Sequence, residues 1–340
     1  MGNVPPPGND DRPDERPDPR LAPAIVDATA GPSAQVHPAA VAAALPPRKE
    51  AIAPVAAGPV GDRTLGLRRT IAYALMIGYA LLMFVPFAWT VITSLKTRAD
   101  SLHLTLIPNP VSLEGWQYTL QALEPSIFTL FLNSAMIAGA VTITNLVLGS
   151  LGGYAFARMR FPGREVLFLV VLATLMIPDT LRMVPMYAMF SALGLTRGFG
   201  QYVSIVLVLA ISATSIFLLR QYFLSIPKDL EEAARIDGAG FFTTFWRVML
   251  PLAGPALAAV AILQFQGSWN SLFWPNILLR DQAHYTIPQA LYFFRESGGF
   301  STNWPPLMAL ITLATIPILV LYIFFQRYFV EGVAASGVKG

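Results

Sequence analysis

Two polar stretches hold most of the side chains that could do chemistry in an otherwise apolar chain of 340 residues. The first, residues 226–251, combines carboxylates, basic side chains and glycines, which suits contact with a partner surface. The second, residues 264–275, is rich in amides, hydroxyls and aromatic rings, which can hydrogen-bond and cover an uncharged polyol. Neither stretch holds the clustered nucleophile, base or metal ligands that an enzyme site needs.

Metal, redox and nucleic-acid chemistry find no support in the composition. The chain has no cysteine, and His37, His103 and His284 are too scattered to suggest a metal site. Its formal net charge of +3 is small, and the basic residues are not gathered into a stripe that could bind nucleic acid. We therefore expect no catalytic residue, no bound cofactor and no metal on this chain.

The elements that position these stretches are predicted to be membrane spans. With 54% hydrophobic residues, 13% charged residues and a mean hydropathy of +0.55, the chain is too apolar for a soluble domain. A helix of about 20 apolar residues crosses a bilayer, and six segments are long enough: 70–94, 128–155, 166 to about 190, 202–219, 250 to about 275 and 306–325. The predicted fold class is an all-α integral membrane protein with six transmembrane helices. Pro178 and Pro185 predict a break in the third.

Residues 1–64 form a separate segment without Phe, Trp or Tyr and rich in Pro and Ala. Such a composition cannot bury enough apolar surface to offset its ordering entropy, so we expect a disordered tail ahead of a membrane domain at 65–340. The tail lacks the apolar core of a signal peptide, so we expect it to stay on the side where it was made.

Lysine and arginine placement predicts the orientation. Counted from Arg63 onward, with alternate loops assigned to opposite sides, twelve of these residues fall on one side and six on the other. Since cytoplasmic loops carry the excess, both termini and residues 226–251 are expected in the cytoplasm.

The first polar stretch has the pattern of a helix, a glycine turn and a second helix. Pro227 and Asp229 are helix-start residues, and Glu232 completes an Asp-x-x-Glu capping pattern. Gly238 and Gly240 are expected to end the first helix. The two alanines after Glu232 leave one face of the helix without bulky side chains, so a partner could approach the backbone closely.

The spacing within this stretch is distinctive. Glu232-Ala-Ala is followed by three residues, Gly238, nine more residues and then Val248-Met-Leu-Pro251. This arrangement resembles the EAA loop of the membrane subunits of bacterial ABC importers, although Val248 stands where that loop often has Ile. Residues 155–163, 278–281 and 337–340 also resemble carbohydrate-importer permeases, typified by the smaller membrane subunit of the maltose transporter. The likeness covers roughly residues 70–340.

The resemblance implies a type I ABC importer permease in the bacterial cytoplasmic (inner) membrane. Implied partners are a second homologous permease subunit, two ATP-binding subunits that hold ATP and magnesium, and an extracytoplasmic solute-binding protein. A short cytoplasmic coupling helix would dock on an ATP-binding subunit, and the terminal Lys339 and Gly340 would reach toward the same subunits. The residues implied in coupling are Glu231, Glu232, Ala233, Ala234, Asp237 and Gly238.

ATP hydrolysis is expected on a separate polypeptide. A Walker A loop needs Gly-Lys-Ser or Gly-Lys-Thr, and none of the four lysines, Lys49, Lys96, Lys228 and Lys339, has that context.

The second polar stretch is the candidate translocation path for a sugar-class substrate. Polar groups in a span are costly unless they face protein or a wet cavity. Helical spacing would place Gln266, Asn270 and Phe273 on one face and Gln264 on an adjoining one. The alternative is interhelical hydrogen bonding, with Trp269 and Trp274 as interfacial aromatics.

Two further ambiguities concern polar groups in other spans. Asp179 and Arg182 lie three residues apart near the predicted break, where they could line an outer gate or pair with each other; as a pair near water, a structural ion pair is the favoured interpretation. Asn133 and Asn145 in the second span suit either a pathway or a bonding role.

A stand-alone secondary transporter or channel for a small neutral solute is the alternative function. It predicts ion-coupling carboxylates inside the membrane, yet the second, fourth, fifth and sixth predicted spans contain no Asp or Glu.

Overall fold

The computed structural model describes residues 63–298 and 303–337, and it describes side-chain exposure for 66–296 and 303–326. The predicted tail up to residue 62, and Lys339 and Gly340, lie outside the described residues. Within them the regular structure is helical and includes no strand. The all-α fold class is confirmed.

The principal helices follow one another with short connections. They are α1 (Arg63–Ser94), α2 (Ile127–Arg158), α3 (Arg164–Ala173), α4 (Asp179–Ala192), α5 (Gly200–Leu209), α6 (Ala213–Ser225), α7 (Asp229–Ile236), α8 (Phe241–Leu252), α9 (Gly254–Trp269), α10 (Phe273–Leu278), α11 (Ile287–Gly298) and α12 (Trp304–Gly337). Shorter turns lie at Asp100–Leu102, Glu114–Gln117, Tyr118–Ala122, Thr174–Met176 and Gln282–His284. A π-helical turn, Phe245–Met249, interrupts α8.

Among the described residues, three single helices and three bent pairs are long and apolar enough to cross a membrane. The single spans are Gly66–Ser94, Ile127–Arg158 and Trp304–Gln326. The bent pairs are α3 with α4 at 99°, α5 with α6 at 46°, and α8 with α9 at 76°. Counting each pair as one span gives the six predicted, and the break expected in the third span lies just before Asp179.

The fifth span differs from its prediction at both ends. It begins at Phe241 and ends at Trp269, where Asn270 terminates the helix, and Pro275 belongs to the separate helix α10. The predicted continuous face of Gln266, Asn270 and Phe273 is therefore wrong. Prolines and glycines near position 253 permit the bend, since they remove backbone donors or loosen the helix.

α2 is the central helix and packs against α6 and α9. Close packing with α6 depends on missing side chains, because a Cβ at Gly153 would lie 2.9 Å from the backbone nitrogen of Arg220 and from Cβ of Leu219. Gly149 lies similarly close to Ser215. Small residues of this kind let two membrane helices approach at backbone distance.

The break between α5 and α6 is held by a side chain of α2. The buried Asn145 amide donates to the carbonyl of Leu209 at 2.7 Å, and its oxygen accepts from the Ser212 amide at 2.8 Å and the Ser215 hydroxyl at 3.1 Å. Backbone groups freed by a helix break must find such partners where no water is present. The bend is therefore part of the packed fold.

Candidate functional site

The short helix α7 ends in the turn that its sequence predicts. Gly238 has a φ of +84°, in the left-handed region that favours glycine. The amide of Ala239 donates to the carbonyl of Ala234 at 2.9 Å, the bond that defines a Schellman ending. Gly240 has an ordinary extended conformation, so Gly238 alone supplies the reversal.

The start of α7 corrects one detail. Lys228 occupies the N-cap position with no side-chain capping bond, and Asp229 is the first helical residue. The predicted Asp-x-x-Glu capping bond is therefore wrong. The carboxylates of Asp229, Glu231 and Glu232 still lie in the first turn, where they favour the positive end of the helix dipole.

Glu231 fixes α7 to the rest of the protein. Its carboxylate Oε1 lies 3.4 Å from Nε of Arg158, and the two side chains are only 8% and 5% exposed. Nη2 of Arg158 also donates to the carbonyl of Phe223 at 2.7 Å and to that of Ile226. One guanidinium at the end of α2 thus joins α7 to the end of α6, where unpaired helix carbonyls attract positive charge.

An aromatic cluster supports the same junction. Tyr154, one turn before Arg158, interacts with the Glu231 carboxylate. Its ring lies 5.5 Å from that of Phe223 and 5.0 Å from that of Phe245, which belongs to the π-helical turn of α8. Such ring pairs add stability beyond the area they bury. The ends of α2 and α6 and the π-helical turn of α8 are therefore packed around the base of α7.

A second set of contacts stiffens this end of the protein. Arg220 of α6 pairs with Glu165 of α3 at 3.1 Å, donates to the carbonyl of Phe156 at 3.3 Å, and lies 4.1 Å from the ring centre of Phe168. These contacts join α2, α3 and α6.

The six predicted coupling residues divide into inner and outer groups. Glu231 is buried and Ala234 is half-buried, so both face the protein. Glu232, Ala233, Asp237 and Gly238 are exposed. Apolar side chains of α7 and of the first half of α8 are exposed as well: Leu230, Ile236, Phe242 and Trp246, with Ile236 exposed to 86%. A helix with a fixed inner face and an open, partly apolar outer face can transmit the movement of a docked partner.

A comparison with known protein families identifies the family of this chain. Residues 145–335 match the family model of binding-protein-dependent transport system inner membrane components. The chain belongs to this family. It is therefore a membrane-embedded permease subunit of a transport system, as the resemblance implies.

Relatives of the permease transport several solutes. It is 36% identical over 278 residues to the arabinooligosaccharide transport permease of Halalkalibacterium halodurans, which covers 79% of this chain and 97% of the relative. It is 33% identical to the diacetylchitobiose uptake permease of Streptomyces coelicolor, over 76% of this chain and 84% of the relative. It is also 33% identical to the sn-glycerol-3-phosphate permease of Yersinia enterocolitica, over 77% and 94%.

A solved structure has the same fold. A chain of a bacterial ABC transporter involved in import of the acidic polysaccharide alginate superposes with a TM-score of 0.66 at 26% identity. The match covers 80% of the permease and 99% of that chain.

The five predicted pathway residues of the permease do not share one surface and differ in burial and in hydrogen bonding. Gln264 donates to the Ser215 hydroxyl at 3.0 Å and borders a cavity, while Gln266 and Asn270 are exposed. Trp269 is buried and donates to the carbonyl of Ala314 at 3.2 Å, and Trp274 is buried in the core. Both tryptophans therefore pack within the fold instead of lying at an exposed interface.

The two asparagines of α2 have bonding roles. Asn145 holds the α5–α6 break as described above. Asn133 donates to the carbonyls of Ala283 and Tyr285, both at 2.9 Å, and accepts from the hydroxyl of Tyr202 at 2.6 Å. These partners occupy the amides, so the bonding interpretation applies to both.

Sequence reasoning missed the roles of Arg158 and Tyr154. Arg158 was visible only as one of several basic residues near a predicted cytoplasmic loop. One available signal was that adjacent residues of a helix point about 100° apart. Glu231 and Glu232 therefore face different directions, and on a helix that packs against the protein a carboxylate on the inner face needs a partner there.

Proposed function

We propose that the permease is one of two membrane subunits of an ATP-driven importer for a sugar or related polyol, with α7 docked on an ATPase subunit. The observation that carries this proposal is the junction of α7, whose inner face is fixed by Arg158 and whose outer face is open. Membership of a binding-protein-dependent family supports the importer, and the oligosaccharide relatives support the substrate class.

The complete importer would contain a second homologous permease, two ATP-binding subunits and an extracytoplasmic solute-binding protein. ATP and magnesium would be bound by the ATP-binding subunits. We place α7 and both termini on the cytoplasmic side, because that side carries twelve of the eighteen lysines and arginines counted from Arg63 onward.

The proposed mechanism converts closure of the ATPases into movement of the spans. A docked helix that moves with its partner displaces whatever is fixed to it. Here Glu231 connects α7 to Arg158, and through it to the ends of α2 and α6. Gly238 lets α8 follow directly, so spans on both sides of α7 receive the displacement. ATP hydrolysis then allows the reverse movement.

Reconstitution tests the proposal. The permease is co-purified with its companion subunits and placed in proteoliposomes with the solute-binding protein outside. Uptake is measured for a labelled arabinooligosaccharide, diacetylchitobiose and sn-glycerol 3-phosphate. We expect uptake of at least one solute that requires ATP on the α7 side. Uptake by the permease alone, driven by an ion gradient, would establish the stand-alone transporter instead.

A pair of variants tests whether α7 docks on an ATPase subunit. Ile236→Asp puts a charge into the exposed apolar surface of α7 and should release the ATPase subunits during purification. Leu104→Asp changes an equally apolar, 91% exposed residue in the loop after α1 and should leave assembly intact. Retention of the ATPase subunits by both variants would refute docking at α7.

A further inference from the structure

Two charged residues lie at the bend between α3 and α4. α3 begins at Arg164 beside other charged groups, and the helical segment from Arg164 to Met176 rises only about 20 Å, at about 1.5 Å per residue. The hydrocarbon core of a bilayer is about 30 Å thick. The chain then turns by 99°. With Arg164 placed at the membrane surface, Asp179 and Arg182 at the start of α4 fall within that thickness.

The pair is exposed at this depth and only partly satisfied. Nη2 of Arg182 contacts Oδ1 of Asp179, yet the two side chains are 37% and 47% exposed. The guanidinium also lies 5.9 Å from the ring centre of Trp274, and its Nε has no hydrogen-bond partner in the described part of the chain. The buried Nε cannot be reached from the cavity, so it is the exposed parts of the guanidinium and of the Asp179 carboxylate that remain available to a ligand.

Other polar groups converge on the same place. Asp179 and Arg182 border a cavity of about 410 Å³ together with Thr174, Ser212 and Gln264. Ser212 comes from the α5–α6 break, and Gln264 from α9 donates to Ser215 while its amide oxygen has no partner among the described residues. The cavity volume falls in the range of about 300–1,000 Å³ typical of small-molecule sites.

Contact with lipid does not suit this cavity. An Asp or Arg side chain at the centre of a membrane helix costs about 2.5–3.5 kcal/mol on insertion scales, and such residues usually face a wet cavity or pair inside the protein. The exposed part of this ion pair therefore needs water, a polar solute or polar groups of another subunit against it, and the cavity leaves room for the first two.

We propose that the cavity at the α3–α4 bend is water-filled and that Asp179, Arg182, Ser212 and Gln264 bind the hydroxyl groups of a passing solute. The pair is electrically neutral as a unit and offers both donors and acceptors, which matches an uncharged, hydroxyl-rich molecule. The identity of the solute rests on the proposed function, whereas the presence of water in the cavity does not.

Cysteine accessibility tests the wet cavity without a transport assay. The chain has no cysteine of its own, so Ser212→Cys carries a single thiol. Leu169→Cys is the control, since Leu169 is a 63% exposed apolar residue of α3 outside the cavity lining. The assembled transporter, in membranes permeable from both sides, is treated with a trimethylammonium methanethiosulfonate.

We expect the thiol at 212 to react at least about 100-fold faster than the thiol at 169, because the thiolate is the reacting species and apolar surroundings suppress it. If Ser212→Cys does not assemble, Thr174→Cys at the same cavity replaces it. Equal, slow reaction at the cavity and control positions would overturn the proposal, including the case in which the second permease fills the cavity.

A second variant tests solute contact. Arg182→Gln should raise the KM for the sugar taken up in the reconstitution by about 10-fold or more, the effect expected for losing a charged hydrogen bond. Arg197→Gln, at an exposed loop position, should not change it. An unchanged KM in Arg182→Gln would remove the binding role. Fast thiol reaction without any sugar uptake would instead count against the proposed function and leave the wet cavity standing.

Discussion

The junction beneath α7 makes a sharp prediction, because two adjacent glutamates have opposite surroundings. Glu231 is buried against Arg158, whereas Glu232 is exposed. Replacing each in turn with glutamine removes one negative charge at almost the same place and keeps the side-chain shape. Only Glu231→Gln leaves a buried guanidinium without its counter-charge.

The expected cost follows from the geometry. Removing one partner of a buried ion pair costs about 3–5 kcal/mol. Arg158 keeps its two carbonyl acceptors, and its Nε–Oε1 contact with Glu231 is electrostatic without the alignment of a hydrogen bond. We therefore expect about 3 kcal/mol, the low end of that range. At tenfold per 1.4 kcal/mol, the state in which α7 is packed against Arg158 becomes about 100-fold less favoured relative to the locally open state.

Hydrogen–deuterium exchange measures this local equilibrium. Amides of a helix that opens locally exchange at rates set by its opening free energy. Peptides covering α7 in the purified transporter should exchange about 100-fold faster in Glu231→Gln, and within about threefold of the parent in Glu232→Gln, since an exposed charge contributes less than about 1 kcal/mol. Equal protection in the two variants would refute the anchoring role of Glu231.

Three further predictions concern glycines and an asparagine. Gly238→Ala should destabilise the transporter by about 1–2 kcal/mol through its left-handed φ alone, whereas Gly240→Ala, with an ordinary φ and equally open space, should change the melting temperature little. Gly153→Ala should cost about 1–3 kcal/mol by separating α2 from α6. Gly139→Ala in the same helix meets nothing within 4 Å and should be neutral or stabilising; equal melting temperatures within either glycine pair would contradict the argument. Asn145→Ala should leave two backbone groups unpaired at about 1–3 kcal/mol each, and a full yield of monodisperse transporter on size-exclusion chromatography would contradict that.

Local sequence signals predicted the parts of the fold that local physics determines. Apolar length identified the spans, Pro178 marked the sharpest bend, and Gly238 ended α7 in the required conformation. The break between α5 and α6 had no such signal, because residues 210–212 contain neither proline nor glycine. It is stabilised by Asn145 from another helix, and such a tertiary contact leaves no mark on the broken segment itself.

The same distinction explains what was missed at the coupling site. The outward residues of α7 can be recognised from their spacing in the sequence, because a partner contacts one surface of the helix. Its stiffness is a different property. A helix of eight residues is marginal by itself, so its rigidity has to come from anchors elsewhere in the chain. Arg158 and Tyr154 supply these anchors from α2, and the displacement that reaches the spans should depend on them as much as on the exposed motif.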